Sequence, residues 1–179
     1  MAVFLATLTP LPRRPPLSKL DATLLLPAWR RYTGHLADGA GPVLGEFATS
    51  GRLTILSGGY GVLLGSEPIG WYDRTFRASD WPRGLLESCL IDIANSLGVG
   101  EVVAFCSATT AYPQILRRTC WRDAGVRAVL VTPKLNGQGG AMRLAPRTAG
   151  LALRTFADGT LTSAWRSPEG VGVSIEVLP

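Results

Sequence analysis

Two phenols, a carboxylate and a guanidinium fall in one short stretch, Tyr60, Tyr72, Asp73 and Arg74, behind the run Ser57-Gly58-Gly59 and Gly61. Such a set can do metal-free chemistry. Aromatic faces stack on a planar ligand, Ser57 and the phenols exchange hydrogen bonds, and Asp73 serves as a general base or orients a base edge. The glycines leave room for a ligand to approach the backbone. The competing reading is that the tyrosines are packed aromatics and the glycines serve tight turns.

A second candidate is Lys134-Leu-Asn-Gly-Gln-Gly-Gly140 ahead of a helical pattern. Bare N–H groups of Gly137, Gly139 and Gly140 at a helix start, helped by Lys134 and Arg143, make an anion cradle. It is neither a Walker loop nor G-x-G-x-x-G, and a plain surface loop is the alternative. A third is Ser107, Thr109, Thr110 and Tyr112, which either face the same crevice or only cap a helix. Lys19, with Arg13 and Arg14, sits in the first loop. His35 is the only histidine, so no histidine-based metal cluster can form. Glu101 precedes a strand at its amino end, the wrong side for catalysis, and direct iron ligation does not fit the scattered cysteines.

The elements that must position these residues alternate between strands and helices. Ala2 to Leu8 reads as a first strand, stopped by Pro10, Pro12, Pro15 and Pro16. Asp21 is placed to cap a helix with Leu24, Leu25, Ala28, Trp29, Tyr32 and Leu36 at helical spacing, with Pro27 a kink or its real start, ended by Gly39-Ala40-Gly41-Pro42. Leu53, Ile55 and Leu56 enter a core as a second strand that ends at Ser57. A helix begins at Ser79 or Asp80 with Pro82 in its first turn, a stripe of Leu85, Leu86, Cys89, Leu90, Ile93 and Leu97, and Gly98 as its stop. Val102 to Cys106 is a buried third strand. A helix capped by Thr109 or Thr110 then runs to about Gly125, and Val126 to Thr132 is a fourth strand. Val171, Val173, Ile175 and Val177 alternate as a strand with one dry face. These βαβ units predict one α/β domain over residues 1–179. It is a three-layer domain with a mostly parallel sheet of about five to six strands covered by helices, and the C-terminal strands can pair antiparallel at an edge.

At 179 residues the chain can bury a core without metals or disulfides. Hydrophobic residues make up 46% and charged residues 17%, a balance that also suits a homodimer. The net charge is +5, and of 18 basic residues only Lys19 and Lys134 are lysines. Arginine forks suit phosphate and stack on bases, although a GC-rich genome would leave the same bias. Cys89, Cys106 and Cys120 lack metal spacing and read as reduced thiols. No segment reaches the length of a membrane span and the start does not read as a signal peptide, so the expectation is a soluble cytoplasmic protein.

The ordered set Ser57, Gly58, Tyr60, Gly61, Leu63 or Leu64, Pro68, Ile69 and Tyr72 resembles the signature of the YaaA family and its relatives. There a strand runs into Ser-Gly-x-Tyr-Gly-Leu-Leu and then Pro-Tyr. Gly137, Gly139, Gly140 and Arg143 match a glycine-rich turn before a late helix in these relatives, and Ser107 and Tyr112 match their serine and helix-starting tyrosine. The family usually carries a lysine soon after the first strand, whereas this chain has Thr9-Pro10 there and its nearest lysine is Lys19. The resemblance implies peroxide-stress and DNA-protection proteins without a cofactor, and a basic, glycine-rich crevice that binds nucleic acid or a nucleotide. A fainter similarity, through the Gly-x-Tyr-Gly loop, links the chain to the base-processing domain of some archaeosine-pathway tRNA-modification enzymes. It accords with the alternative that the crevice residues themselves allow, a metal-independent enzyme on a nucleobase, nucleoside or related metabolite, in which Tyr60, Tyr72, Asp73, Ser107 and Tyr112 bind and polarise a planar substrate and Tyr60, Tyr72 and Asp73 are catalytic. An interaction or scaffold protein is the third class that the apolar composition allows.

Overall fold

The computed structural model describes residues 2–6, 24–72, 74–135, 137 and 139–179. The proline-rich first loop with Arg13, Arg14 and Lys19, the cap at Asp21, and Asp73, Asn136 and Gln138 lie outside the described residues. Strand β1 (Ala2–Ala6) is central and pairs in parallel with β3 (Leu53–Ser57) on one side and β6 (Glu101–Phe105) on the other. Strand β7 (Arg127–Lys134) continues the parallel set beside β6. At the edges, β4 (Gly61–Leu64) pairs antiparallel with β3, and β8 (Gly172–Val177) pairs antiparallel with β7. The order is β4-β3-β1-β6-β7-β8. The protein is therefore a mixed α/β fold with a mixed sheet, parallel at its centre and antiparallel at both edges.

Side-chain alternation along the strands divides the core. Leu53, Ile55, Val103, Phe105, Val129, Val131 and Val173 pack with residues of α2 (His35–Ala40), α3 (Val43–Thr49) and α6 (Ala141–Ala157). Leu56, Val102, Ala104, Cys106, Ala128 and Leu130 pack instead with α4 (Leu85–Ser96), α5 (Tyr112–Arg118) and Trp121. This follows from the two-residue period of a strand: adjacent residues point to opposite faces. Helices α2 and α6 cross through bare backbone, since a Cβ on Gly39 would collide with the Arg147 carbonyl and one on Gly150 with the Leu36 carbonyl.

Four expectations are corrected. Among the described residues the helical stripe from Leu24 to Leu36 is not one helix: a short strand β2 (Leu26–Pro27) comes first, a one-turn helix α1 (Ala28–Arg31) starts directly after Pro27, the later of the two starts the spacing allows, and α2 follows. Apolar spacing could not foresee that Leu26 and Pro27 pair with β5 (Pro68–Ile69), or that the N–H groups of Ala28 and Trp29 donate to the Glu67 and Gly65 carbonyls. The chain turns at Tyr32, and that turn aims its phenol at the rim described below. Secondly, Gly61–Leu64 reads as loop but is a strand. Ser57 pairs with Gly61 across three turn residues, and Gly61 at φ 74° takes the left-handed conformation that ends such a hairpin loop. Thirdly, α4 starts at Leu85, after a 3-10 turn at Ala78–Asp80, and leaves Leu85 and Leu97 exposed; α5 ends at Arg118 with Trp121 buried beyond it. Finally, the C-terminal strand forms where its alternation indicates, but its face is dry only at Val171 and Val173. Ile175 and Val177 are 39% and 58% exposed, towards the end of an edge strand.

Candidate functional site

Strands β3, β6 and β7 are parallel, so the residues following them emerge at one rim of the sheet. The parallel order, second-first-third-fourth along the chain, switches direction between β1 and β6, the place where open α/β sheets form a crevice.

At the β3 end of this rim sits a cluster of hydroxyls. Ser57, 1% exposed, accepts hydrogen bonds at Oγ from the N–H groups of Gly59 (3.2 Å) and Tyr60 (3.1 Å). Its Oγ lies 2.6 Å from the Tyr72 Oη, and Tyr72 Oη lies 2.5 Å from the Tyr32 Oη. Tyr72 arrives on the segment after β5, where the Gly70 N–H donates to the Tyr60 Oη at 3.1 Å. The rings meet edge to face, Tyr60 on Tyr72 at 5.2 Å between centroids and Tyr32 on Tyr72 at 6.1 Å. Burial, reinforced by the neighbouring Tyr72 phenol, pushes the Tyr32 hydroxyl far above its ordinary range, so it stays protonated. Tyr60 is 37% exposed and opens the cluster to solvent.

The glycines here serve the chain itself. A Cβ on Gly58 would collide with the Arg74 carbonyl and press on the Phe76 N–H, and one on Gly59 would come within 2.5 Å of the Tyr72 ring. The room left by Gly58 and Gly59 is thus filled by residues 72 and 74–76. That segment reaches across the rim, because Phe76 stacks on Tyr112 at the start of α5, 4.4 Å between centroids. The Tyr112 phenol in turn acts electrostatically on Tyr32. Loop 107–112 therefore belongs to the same neighbourhood as Ser57 and Tyr72. In it the Ser107 and Thr109 hydroxyls are 3.0 Å apart, and Thr110 Oγ1 donates to the Ser107 carbonyl at 2.8 Å rather than capping the helix. Cys106, just inside, is buried and its thiol is pushed up to about 12, which leaves it inert.

The β7 end is different. Lys134 is exposed, and a Cβ on Gly137, Gly139 or Gly140 would meet nothing within 4 Å. Helix α6 follows with no side-chain cap and no acidic residue in its first turn. Three strand spacings separate the ends of β3 and β7, roughly 14 Å at about 4.8 Å each. Glu169, in the turn before β8, is held below the usual carboxylate range mainly by hydrogen bonds from backbone and from Ser167, and is paired with Arg147 at 3.5 Å. Arg74 is tied to Asp80 at 3.1 Å, and Arg117, Arg118, Arg127 and Arg147 likewise hold acidic partners. Five of the described arginines are thus held in surface pairs.

Tyr32 is the site residue that the sequence reading passes over. Its place in an apparent helical stripe hid it, and the signal against that stripe was Gly34 two residues on. His35 faces Asp38 at 3.7 Å. Among the described residues no group of three or more His, Cys, Asp or Glu could hold a metal, and no helix is long and apolar enough to cross a membrane. What the cluster offers is uncharged: phenol and serine hydroxyls beside exposed aromatic surface, suited to orienting a planar polar molecule by hydrogen bonds. Searches against family models, curated proteins and solved structures return no match.

Proposed function

We propose that this is a YaaA-like protein whose carboxyl rim binds a nucleotide-like ligand, the base at the hydroxyl cluster and the phosphate at the glycine-rich start of α6. The observation that carries the reading is the convergence of Ser57, Tyr72, Tyr32 and Tyr112 from four separate segments on one rim. Core packing alone does not call for three hydroxyls in mutual contact, whereas a base edge does. Lys134 and the open glycines at the other end of the rim supply uncapped N–H groups and a cation for an anion.

The test is a melting-temperature screen with nucleobases, nucleosides, nucleotides and a short oligonucleotide, at two salt concentrations. A nucleotide should raise the midpoint more than its nucleoside, and Lys134→Ala should erase that difference. A panel in which none of these shifts the midpoint defeats the proposal. A second reading, a metal-independent enzyme on a nucleobase, is favoured by the contact of the Tyr72 phenol with two other hydroxyls, a proton path without a metal. Under it, Asp73→Asn would abolish turnover of a bound nucleoside while leaving its affinity within a few-fold.

A further inference from the structure

The number of protons in the hydroxyl cluster restricts what it can bind. Ser57 Oγ already accepts two backbone hydrogen bonds, from Gly59 and Tyr60, and these occupy both of its lone pairs. Ser57 can therefore only donate into the pair of phenols, to Tyr72 at 2.6 Å or to Tyr32, which it also engages. Between Tyr72 and Tyr32, 2.5 Å apart, one phenol donates to the other. Whichever direction that bond takes, the accepting phenol still owns a proton that neither the partner phenol nor Ser57 can receive. Among the described residues, the cluster therefore keeps one phenol proton to offer a further acceptor. Among the described residues, the groups acting on the Tyr32 phenol are Tyr72, Ser57 and Tyr112, all uncharged.

We infer that the Ser57–Tyr72–Tyr32 cluster is a neutral donor site for a carboxylate, enolate or carbonyl oxygen on a planar ligand whose ring lies along Tyr60. The inference rests on the proposed rim site and names the chemistry at its base end. Donors polarised in series bind an oxyanion better than isolated hydroxyls do. None of the described groups that act on the Tyr32 phenol is charged, so this contact depends weakly on salt, unlike one made to phosphate by lysine or arginine. Among the described groups of the cluster, a cationic ligand of the same shape finds no anionic acceptor.

Benzoate and benzamidinium, planar rings of matching shape and opposite charge, provide the test by titration calorimetry on the full chain. The expected result is that benzoate binds and benzamidinium does not, with benzoate affinity little changed by added salt. Tyr72→Phe and Tyr32→Phe each keep the ring and its edge-to-face contact while removing one hydroxyl, and each should weaken benzoate about tenfold. Equal binding of both probes, no benzoate binding, or benzoate affinity unchanged in both folded variants would overturn the donor site. Failure of nucleotides alongside success of benzoate would remove the nucleotide reading and leave the donor site standing. Nucleotide binding with benzoate insensitive to both variants would do the reverse.

Discussion

The two ends of the carboxyl rim carry similar glycine-rich segments and use them in opposite ways. At the β3 end, Gly58 and Gly59 are small because the chain lies on them: the backbone of Arg74 to Phe76 and the Tyr72 ring occupy the space a side chain would need. At the β7 end, Gly137, Gly139 and Gly140 face open surroundings, and Gly137 and Gly140 at φ 80° and 79° are there to turn the chain into α6. One end is a packed, hydroxyl-lined cluster and the other an unfilled turn. A glycine run in a sequence marks a place where bulk is excluded, and only the fold tells whether ligand or protein excludes it.

Substitutions at the two ends should separate them sharply. The largest effect is expected for Gly58→Ala, because its new Cβ meets backbone that no rotamer change can move. It should lower stability by about 2–3 kcal/mol in urea unfolding, while Gly139→Ala stays within about 0.5 kcal/mol. Equal effects would erase the contrast. Ser57→Ala comes next, at about 1–3 kcal/mol, since it strands the Gly59 and Tyr60 N–H groups and removes a donor to the phenols. Hydrogen exchange at those two amides should accelerate together, and unchanged protection would show that Oγ does not hold the turn.

Alkaline pH offers a smaller, graded test of the packed end. The Tyr32 phenol titrates above its unfolded value of about 10, so the folded state holds its proton after the unfolded chain has lost its own. The stability this confers is complete below pH of about 10 and falls as pH rises beyond it, by about 1.4 kcal/mol per pH unit. Tyr32→Phe should remove that slope from urea midpoints measured between about pH 9 and 11. Retention of the full slope would place its origin elsewhere. The smallest effect belongs to the open end, where Lys134→Ala should change stability by less than about 0.5 kcal/mol and act only on ligand affinity.

What could be read before folding follows from how far each signal reaches along the chain. The apolar run at Leu53, Ile55 and Leu56 and the buried stretch after Glu101 announce their strands, because a strand inside a sheet is apolar on both faces. The alternation at Val171 to Val177 announces a strand but not its cover, and Ile175 and Val177 emerge exposed because nothing local records what lies over an edge strand. The helical spacing from Leu24 to Leu36 misleads because Leu26 and Pro27 are claimed by Ile69 and Pro68, more than forty residues away. Tyr32 was lost with it: its partners, Tyr72 and Ser57, come from other segments, and contact between segments is what a local pattern omits. Tyr60, Tyr72, Ser57 and Tyr112 were legible as residue types near strand ends, while their hydroxyl contacts were not.

The central claim, that the β3 end of the rim is where ligand is recognised, is tested most directly by NMR of protein carrying 13Cζ-labelled tyrosine, titrated with a nucleoside monophosphate. The account predicts that the Tyr72, Tyr32 and Tyr60 signals move together and saturate, and that Ser57→Ala weakens the response. Saturable binding that leaves all three tyrosine signals in place would contradict it.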